Sequence, residues 1–447
     1  MCFAMDKNYD IIIVGGGITG AALLYTLSNY TNTNRILLIE KYDALAKLNS
    51  NSINNSQTLH FGDIETNYTY DKAKETKAAA ERVLNYMNAL PKNKRKGILE
   101  SCQKMVLGVG EDEIEALEKI NTSKINELFP GLKALGKKEI SAIEPNITYK
   151  RDPKEKICAL LSDKGYMVDY GKLTLSYVEN SFGKNKSNTH ILFNTAVKKV
   201  EKSTDGYTVF TDKHTFNARF VIFASGTYSL YFAKSMGYDK NLSILSVGGN
   251  FYISKRVLRG KVYRVQKGGI PFAAIHGDPD ITDPTITRFG PTVTLPLQLE
   301  RRHNGTSLDY IKTFDFDVPT VSSLFKILLN KDIRRIIRKN MLYSVPVIGQ
   351  YSFLKNEASV IVPSLKYSDL RFAGNVGGIR PQIIDENKRA LALGASKIKG
   401  NGIIFNITPS PGATSALSSA LEDVLYVSKS IGLKFYKEKY ESNLGQM

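Results

Sequence analysis

The sequence has little cysteine. Cys2, Cys102 and Cys158 are its only three in 447 residues, and they stand too far apart for the spacings of metal sites or redox motifs. They read as reduced structural thiols, and no metal is expected. No run of eighteen apolar residues is present to cross a bilayer as a helix. Met1 to Tyr9 lacks the features of a signal peptide or an organelle presequence, so the expected location is intracellular. Acidic residues are in deficit, 43 Asp and Glu against 61 Lys and Arg, which leaves a formal charge of +18. Such a charge is compatible with nucleic acid, an anionic membrane surface or an acidic substrate. No zinc-finger spacing, RNA-binding aromatic motif or uninterrupted basic tail supports the first, so no nucleic-acid partner is expected. The local cluster Lys92, Lys94, Arg95 and Lys96 reads as a solvated loop.

What is present is material for two cores. The chain exceeds the size at which one hydrophobic core keeps growing, and its apolar share is 42%. With no repeat and no low-complexity linker, the two domains are expected to be interwoven. The opening Tyr9 to Glu40 reads as strand, glycine turn, helix, strand, whereas the alternating stretches GNFYIS, KVYRV and PFAAI between Leu245 and Pro296 read as an antiparallel sheet. The expectation is an α/β fold, a Rossmann-type FAD-binding domain interwoven with an antiparallel-sheet α+β substrate domain. Cofactor-domain segments fall at 6–75, 161–240 and 366–440, and substrate-domain segments at 76–160 and 241–365. A final helix is expected from about Ala413 to Ile431.

In IIIVGGGITGAALL an apolar strand runs into Gly15, Gly17 and Gly20. The pattern G-x-G-x-x-G gives a tight turn, a close approach to a pyrophosphate and a helix packed hard on the strand. The following helix N-terminus offers free N–H groups to phosphate. Glu40 closes the next strand at about the 20-residue distance of a ribose-binding carboxylate. Strand, turn, helix and acid together specify dinucleotide binding. The run FVIFASG, Phe220 to Gly226, resembles the second fingerprint of flavoproteins with two dinucleotide folds, and no second G-x-G-x-x-G is present for a nicotinamide cofactor. FAD is the expected cofactor, with electrons coming directly from the substrate.

Five further stretches, NSQTLHFGDIETNYT, AAIHGDPD, TRFGPT, GGIRPQ and NITPSPGATSAL, are together similar to the malate:quinone oxidoreductase family of the D-amino-acid oxidase superfamily. The resemblance spans nearly the whole chain in order. It implies a peripheral membrane flavoenzyme that oxidises (S)-malate to oxaloacetate and passes electrons to quinone. The membrane would be a bacterial inner membrane at its cytoplasmic face, or a mitochondrial inner membrane in a eukaryote. L-2-hydroxyglutarate dehydrogenase, or another 2-hydroxy- or amino-acid dehydrogenase or oxidase of the superfamily, is the alternative. A flavin-bearing or nucleic-acid-binding module without turnover has only the charge in its favour.

That chemistry needs a hydride acceptor, a base for the hydroxyl proton and cations for two carboxylates. Arg380, in GGIRP, resembles the arginine that forks a substrate carboxylate in this superfamily. Arg288, in TRFGPT, reads either as a holder of the second carboxylate or as half of a structural ion pair. His276 is expected to be the base, at the end of an apolar strand before GDPD, and His60 a neighbour of the flavin, each with a structural role as the alternative. Ser56, Gln57 and Thr58 are expected to bind FAD, with Lys41, Val197, Gly226 and Gly378 among the other contacts. Gly412, Ala413 and Thr414 are expected at the start of the last helix, whose N–H groups would face the flavin ring. SLFKILLNKDIRRIIRKNML, Ser323 to Leu342, reads as a basic amphipathic helix lying on an anionic membrane, or else packing its apolar stripe on its own domain.

Overall fold

The computed structural model describes residues 7–33, 35–182, 189–239, 241–266, 274–314, 322, 329, 331–385, 387–388, 390–392, 396–407 and 412–447. The expected opening unit is present as β1 (Asn8–Val14), α1 (Ile18–Tyr30) and β2 (Ile36–Ile39). β1 pairs in parallel with β2 on one side and with strand Thr215–Phe223 on the other. A strand covered on both faces must be apolar throughout, which is why IIIV and ILLI do not alternate. Ile11 and Ile13 face the core shared with α1, whereas Ile12 and Val14 face the opposite core, where Val209 and Phe216 pack. The sheet runs Ser396–Gly400, Ile403–Ile407, Thr215–Phe223, β1, β2, Thr189–Leu192. The hairpin Val197–Ser203 and Gly206–Thr211 branches antiparallel from Thr215–Phe223.

The second large sheet draws on residues as distant as Lys104–Val109, Ile157–Ser162, Phe251–Lys255, His276–Pro279, Ile286–Gly290 and Arg371–Ala373. Its pairs are antiparallel except Lys261–Arg264 with Lys104–Val109. A third sheet sets Leu242–Gly248 against Ile379–Asp385. The interweaving runs deeper than the five expected segments. Arg371–Ala373 sits at the edge of the substrate sheet, and helix α2 (Tyr70–Ala89) contributes Ala80, Val83 and Met87 to the core that holds α1.

Three local expectations agree with the structure only in part. The strand near His276 begins at His276 itself, because HGDP is buried and paired on both sides; Pro271 to Ala273 of PFAAI lie outside the described residues. The last long helix starts at Ala416, and Gly412 to Ser415 form the turn before it. In the basic segment, helix Lys331–Tyr343 is described, but Ile333 and Ile336 pack on Val247 and Val293, so part of the apolar stripe is covered by the protein's own third sheet; most of Ser323 to Asn330 lies outside the described residues. No described helix is long and apolar enough to cross a membrane.

Candidate active site

The glycine turn sits where the ends of β1 and Thr215–Phe223 meet. Gly15 has φ +114°, and a Cβ there would stand 2.5 Å from the Ala224 carbonyl oxygen. At Gly20 a Cβ would fall 1.9 Å from the Gly15 carbonyl oxygen, so the close seating of α1 on β1 requires glycine. Gly20 acts through packing, while Gly15 to Thr19 line a long cavity. Gly17 begins α1 without a side-chain cap, and the Ile18 N–H donates to Ser50 Oγ at 2.9 Å. Glu40, just past β2, lines the cavity and also buttresses the turn, its carboxylate accepting from Gly16 N–H at 2.6 Å and Tyr42 N–H at 2.9 Å. Burial raises the pKa of Glu40 while those N–H groups pull it back. Lys41 is tied to Glu300 at 2.6 Å and lies over the Tyr228 ring. Val197 and Gly226, the latter at φ +61°, complete this end of the wall. A glycine turn closed to a Cβ at Gly15 and Gly20, a helix start without a side-chain cap and a buried carboxylate together fit a dinucleotide cofactor.

The cavity continues past Ser56, Thr58 and His60 to Gly378, Arg380 and Gly412 to Thr414. The loop carrying His60 is pinned from several sides. Thr58 bridges to Met167, the His60 N–H donates to Thr414 Oγ1 at 3.2 Å, and Tyr170 holds both the Thr58 carbonyl and Thr414 Oγ1. The His60 ring meets Glu65 Oε1 through Nδ1 at 2.6 Å, which among the described residues leaves Nε2 with only Ser56 Oγ at 3.5 Å. Burial alone would raise the Glu65 pKa, but the hydrogen bond and charge of His60, with Lys104 beyond, hold it below the usual carboxylate value. This geometry fixes the imidazole by one nitrogen and presents the other, as a general base requires.

Arg380 stands on strand Ile379–Asp385 opposite Val247, just after the Gly377–Gly378 turn. A Cβ at Gly377 would be 2.0 Å from the Gly249 carbonyl oxygen, so this turn too is closed to larger residues. Arg380 lines the cavity with no acidic partner among the described residues. Burial lowers its pKa, while Tyr263 and Tyr68 act to raise it. The Tyr263 hydroxyl lies 2.6 Å from Thr58 Oγ1.

Three expected site residues lie elsewhere. His276 is buried on its strand, its Nε2 3.0 Å from Asp278 Oδ2, its ring stacked on Tyr263, and it does not line the cavity. Arg288 is equally buried, with Nε 3.2 Å from Asp280 Oδ2 and its guanidinium behind Phe251. Gln57 turns away from the cavity, donating to Ser52 O and Asp280 Oδ1 and accepting from the Ile281 N–H. The reason is common to all three. Lys261, Asp278 and Asp280 form with them a buried charged cluster that joins the His60 loop to the substrate sheet. Against burial, His276, Lys261 and Arg288 push the Asp278 pKa down to about 2.

Sequence and structure comparisons agree with this geometry. The family model for malate:quinone oxidoreductase (Mqo) matches residues 7–447. The chain belongs to the malate:quinone oxidoreductase family. Family relatives include a probable malate:quinone oxidoreductase of Campylobacter jejuni, 40% identical over 98% of this chain and 99% of that protein. A malate:quinone oxidoreductase of Helicobacter pylori is likewise 40% identical, over 98% of each chain. Among solved structures, the dithionite-reduced L-alpha-glycerophosphate oxidase of Mycoplasma pneumoniae with FAD bound superposes with a TM-score of 0.63 at 19% identity, covering 95% of both chains, which establishes the shared fold. In this malate:quinone oxidoreductase family member, Glu65 behind His60 and Tyr263 beside Thr58 are contacts that no sequence motif singles out. Glu65 stood within the quoted stretch GDIETN, five residues after His60, but a carboxylate at that spacing in a loop has no periodicity to announce its partner.

Proposed function

We propose that the protein oxidises (S)-malate to oxaloacetate with FAD held along this cavity, and passes the electrons to quinone in a membrane to which it is peripherally attached. The observation that carries the reading is the meeting in one cavity of a cation without an acidic partner among the described residues, Arg380, and a histidine with one nitrogen held and one presented, His60. FAD, when bound, supplies the acceptor for the hydride leaving C2 of malate. Gly15, Gly17, Glu40, Ser56, Thr58, Gly226, Gly378 and Gly412 to Thr414 are the residues that would hold it. Arg380 forks one substrate carboxylate with its fixed donors. His60 Nε2 takes the C2 hydroxyl proton as the carbonyl forms, and Glu65 keeps the opposite nitrogen protonated and stabilises the imidazolium. The roles first expected of the two histidines are thereby exchanged. Phe251 supplies apolar wall. The test is anaerobic titration of the purified protein with (S)-malate and, separately, with 2-hydroxyglutarate, followed by release of the cofactor. Loss of the visible flavin absorbance with malate, no loss with 2-hydroxyglutarate, and recovery of FAD are expected. Reduction by 2-hydroxyglutarate alone, or recovery of FMN, contradicts the reading.

A further inference from the structure

Where helix Lys331–Tyr343 ends, the chain turns through Ser344 to Val347 into a second short helix, Ile348–Phe353. The inner side of this turn is fixed. Tyr343 and Phe353 are buried, Phe353 stacks on Tyr252 at 4.2 Å, and the Tyr252 hydroxyl donates to the Tyr343 carbonyl at 2.6 Å. A Cβ at Gly349 would stand 2.4 Å from the Leu342 carbonyl oxygen, so the two helices meet backbone to backbone. The outer side is apolar as well. Met341, Leu342, Val345, Val347, Ile348 and Tyr351 are between 39% and 67% exposed. A lone exposed apolar side chain needs no explanation, but six gathered on one turn and the helix ends beside it do. Val347 also holds φ +65°, a conformation a β-branched residue avoids.

We infer that this turn, and not the cationic face of the preceding helix alone, is the surface by which the protein docks on an anionic lipid bilayer. The inference rests on the quinone-linked reading given above and names the partner of that membrane attachment. Charge chooses the occupant. Lys331, Arg334, Arg335 and Arg338 lie on the helix leading into the turn and have no acidic partner among the described residues, whereas Lys339 is paired with Glu357. A second copy of this chain meeting the same surface in a twofold contact would set cations against cations. Anionic headgroups complement them while the apolar turn enters the acyl boundary. The packing beneath keeps the turn in shape for insertion.

The experiment uses the FAD-loaded full-length protein with vesicles of phosphatidylglycerol mixed with phosphatidylcholine, and with phosphatidylcholine alone. The double variant Val347→Ser/Ile348→Ser and the independent variant Tyr351→Ser are compared with wild type. Vesicle binding, solution mass and malate-driven reduction of a water-soluble dye are measured together. Wild type is expected to bind the anionic vesicles more tightly and to release with salt. The double variant should bind roughly tenfold or more weakly, and dye reduction should be unchanged. Tyr351→Ser should weaken binding to a lesser degree. Unaltered binding in both variants overturns the inference, as does a wild-type dimer that the double variant dissociates without a change in vesicle binding. Variant-sensitive vesicle binding by a protein that fails to oxidise malate supports the surface and refutes the substrate reading, so the two failures are told apart.

Discussion

Two histidine–carboxylate pairs, His60 with Glu65 and His276 with Asp278, share the same chemistry and nearly the same separation, 2.6 Å and 3.0 Å. Each has an arginine in its neighbourhood, Arg380 and Arg288. Their surroundings differ. In the first pair His60 lines the cavity, with Glu65 behind it, and its arginine has no acidic partner among the described residues; the second is sealed in the protein, where Lys261 and Asp280 complete a cluster of opposed charges. The contrast teaches that residue type and local motif do not distinguish a histidine open to a cavity from one sealed in the core. What distinguishes them is whether a donor or acceptor is left over and open to a ligand.

The largest effect expected from breaking the contrast is on stability, and it falls on the sealed pair. Asp278→Asn leaves His276, Lys261 and Arg288 buried around a neutral group, and removing one partner of a buried ion pair costs about 3–5 kcal/mol. Denaturant unfolding should show that loss. A change of only a few tenths of a kcal/mol means the cluster is not the structural hub described. On the open side, Arg380→Lys should lower kcat/KM for malate by on the order of a hundredfold, because an ammonium cannot reproduce a two-bond fork. Steady-state kinetics with a dye acceptor would expose an error if the variant matched wild type. Glu65→Gln should lower kcat by roughly tenfold with little change in KM and normal FAD content, since Glu65 positions the base without meeting substrate. A rise in KM at constant kcat would mean Glu65 serves binding instead.

The smallest effect is acid sensitivity. Asp278 titrates at about 2 in the folded chain against an ordinary 3.8. A depressed carboxylate contributes stability that is present above the ordinary value and is lost as pH falls from about 4 towards 2. Wild type should lose stability across that interval, and the Asp278→Asn variant should lose less. Equal slopes in urea melts taken through the interval would contradict the assignment.

Much of the fold was legible because its signals are local. The apolar run before Gly15, the acid at Glu40 and the small residues at Ala224 to Gly226 follow from backbone geometry that few residues satisfy. The family resemblance fixed the order of the motifs and the placing of Arg380 after its glycine turn. The strand Ile403–Ile407, completing the cofactor sheet, was overlooked because a short apolar run fits several structures. The last helix begins three residues after the expected start, at Ala416, and Ser415 at its N-cap makes no side-chain cap hydrogen bond. His276 and Arg288 are expected at the site from their motifs, and the structure buries them away from the cavity. Their motifs, HGDPD and TRFGP, lie on adjacent antiparallel strands, and only the register that sets Asp278 opposite Arg288 reveals that they serve each other.

The central claim is that proton transfer belongs to the open histidine. The most direct measurement is the anaerobic rate at which (S)-malate bleaches the flavin in His60→Ala and His276→Gln, each normalised to folded, FAD-loaded protein. The account predicts a rate about a hundredfold or more lower in His60→Ala and close to wild type in His276→Gln, whose cost appears as lost stability. A slow His276→Gln beside a fast His60→Ala would contradict it.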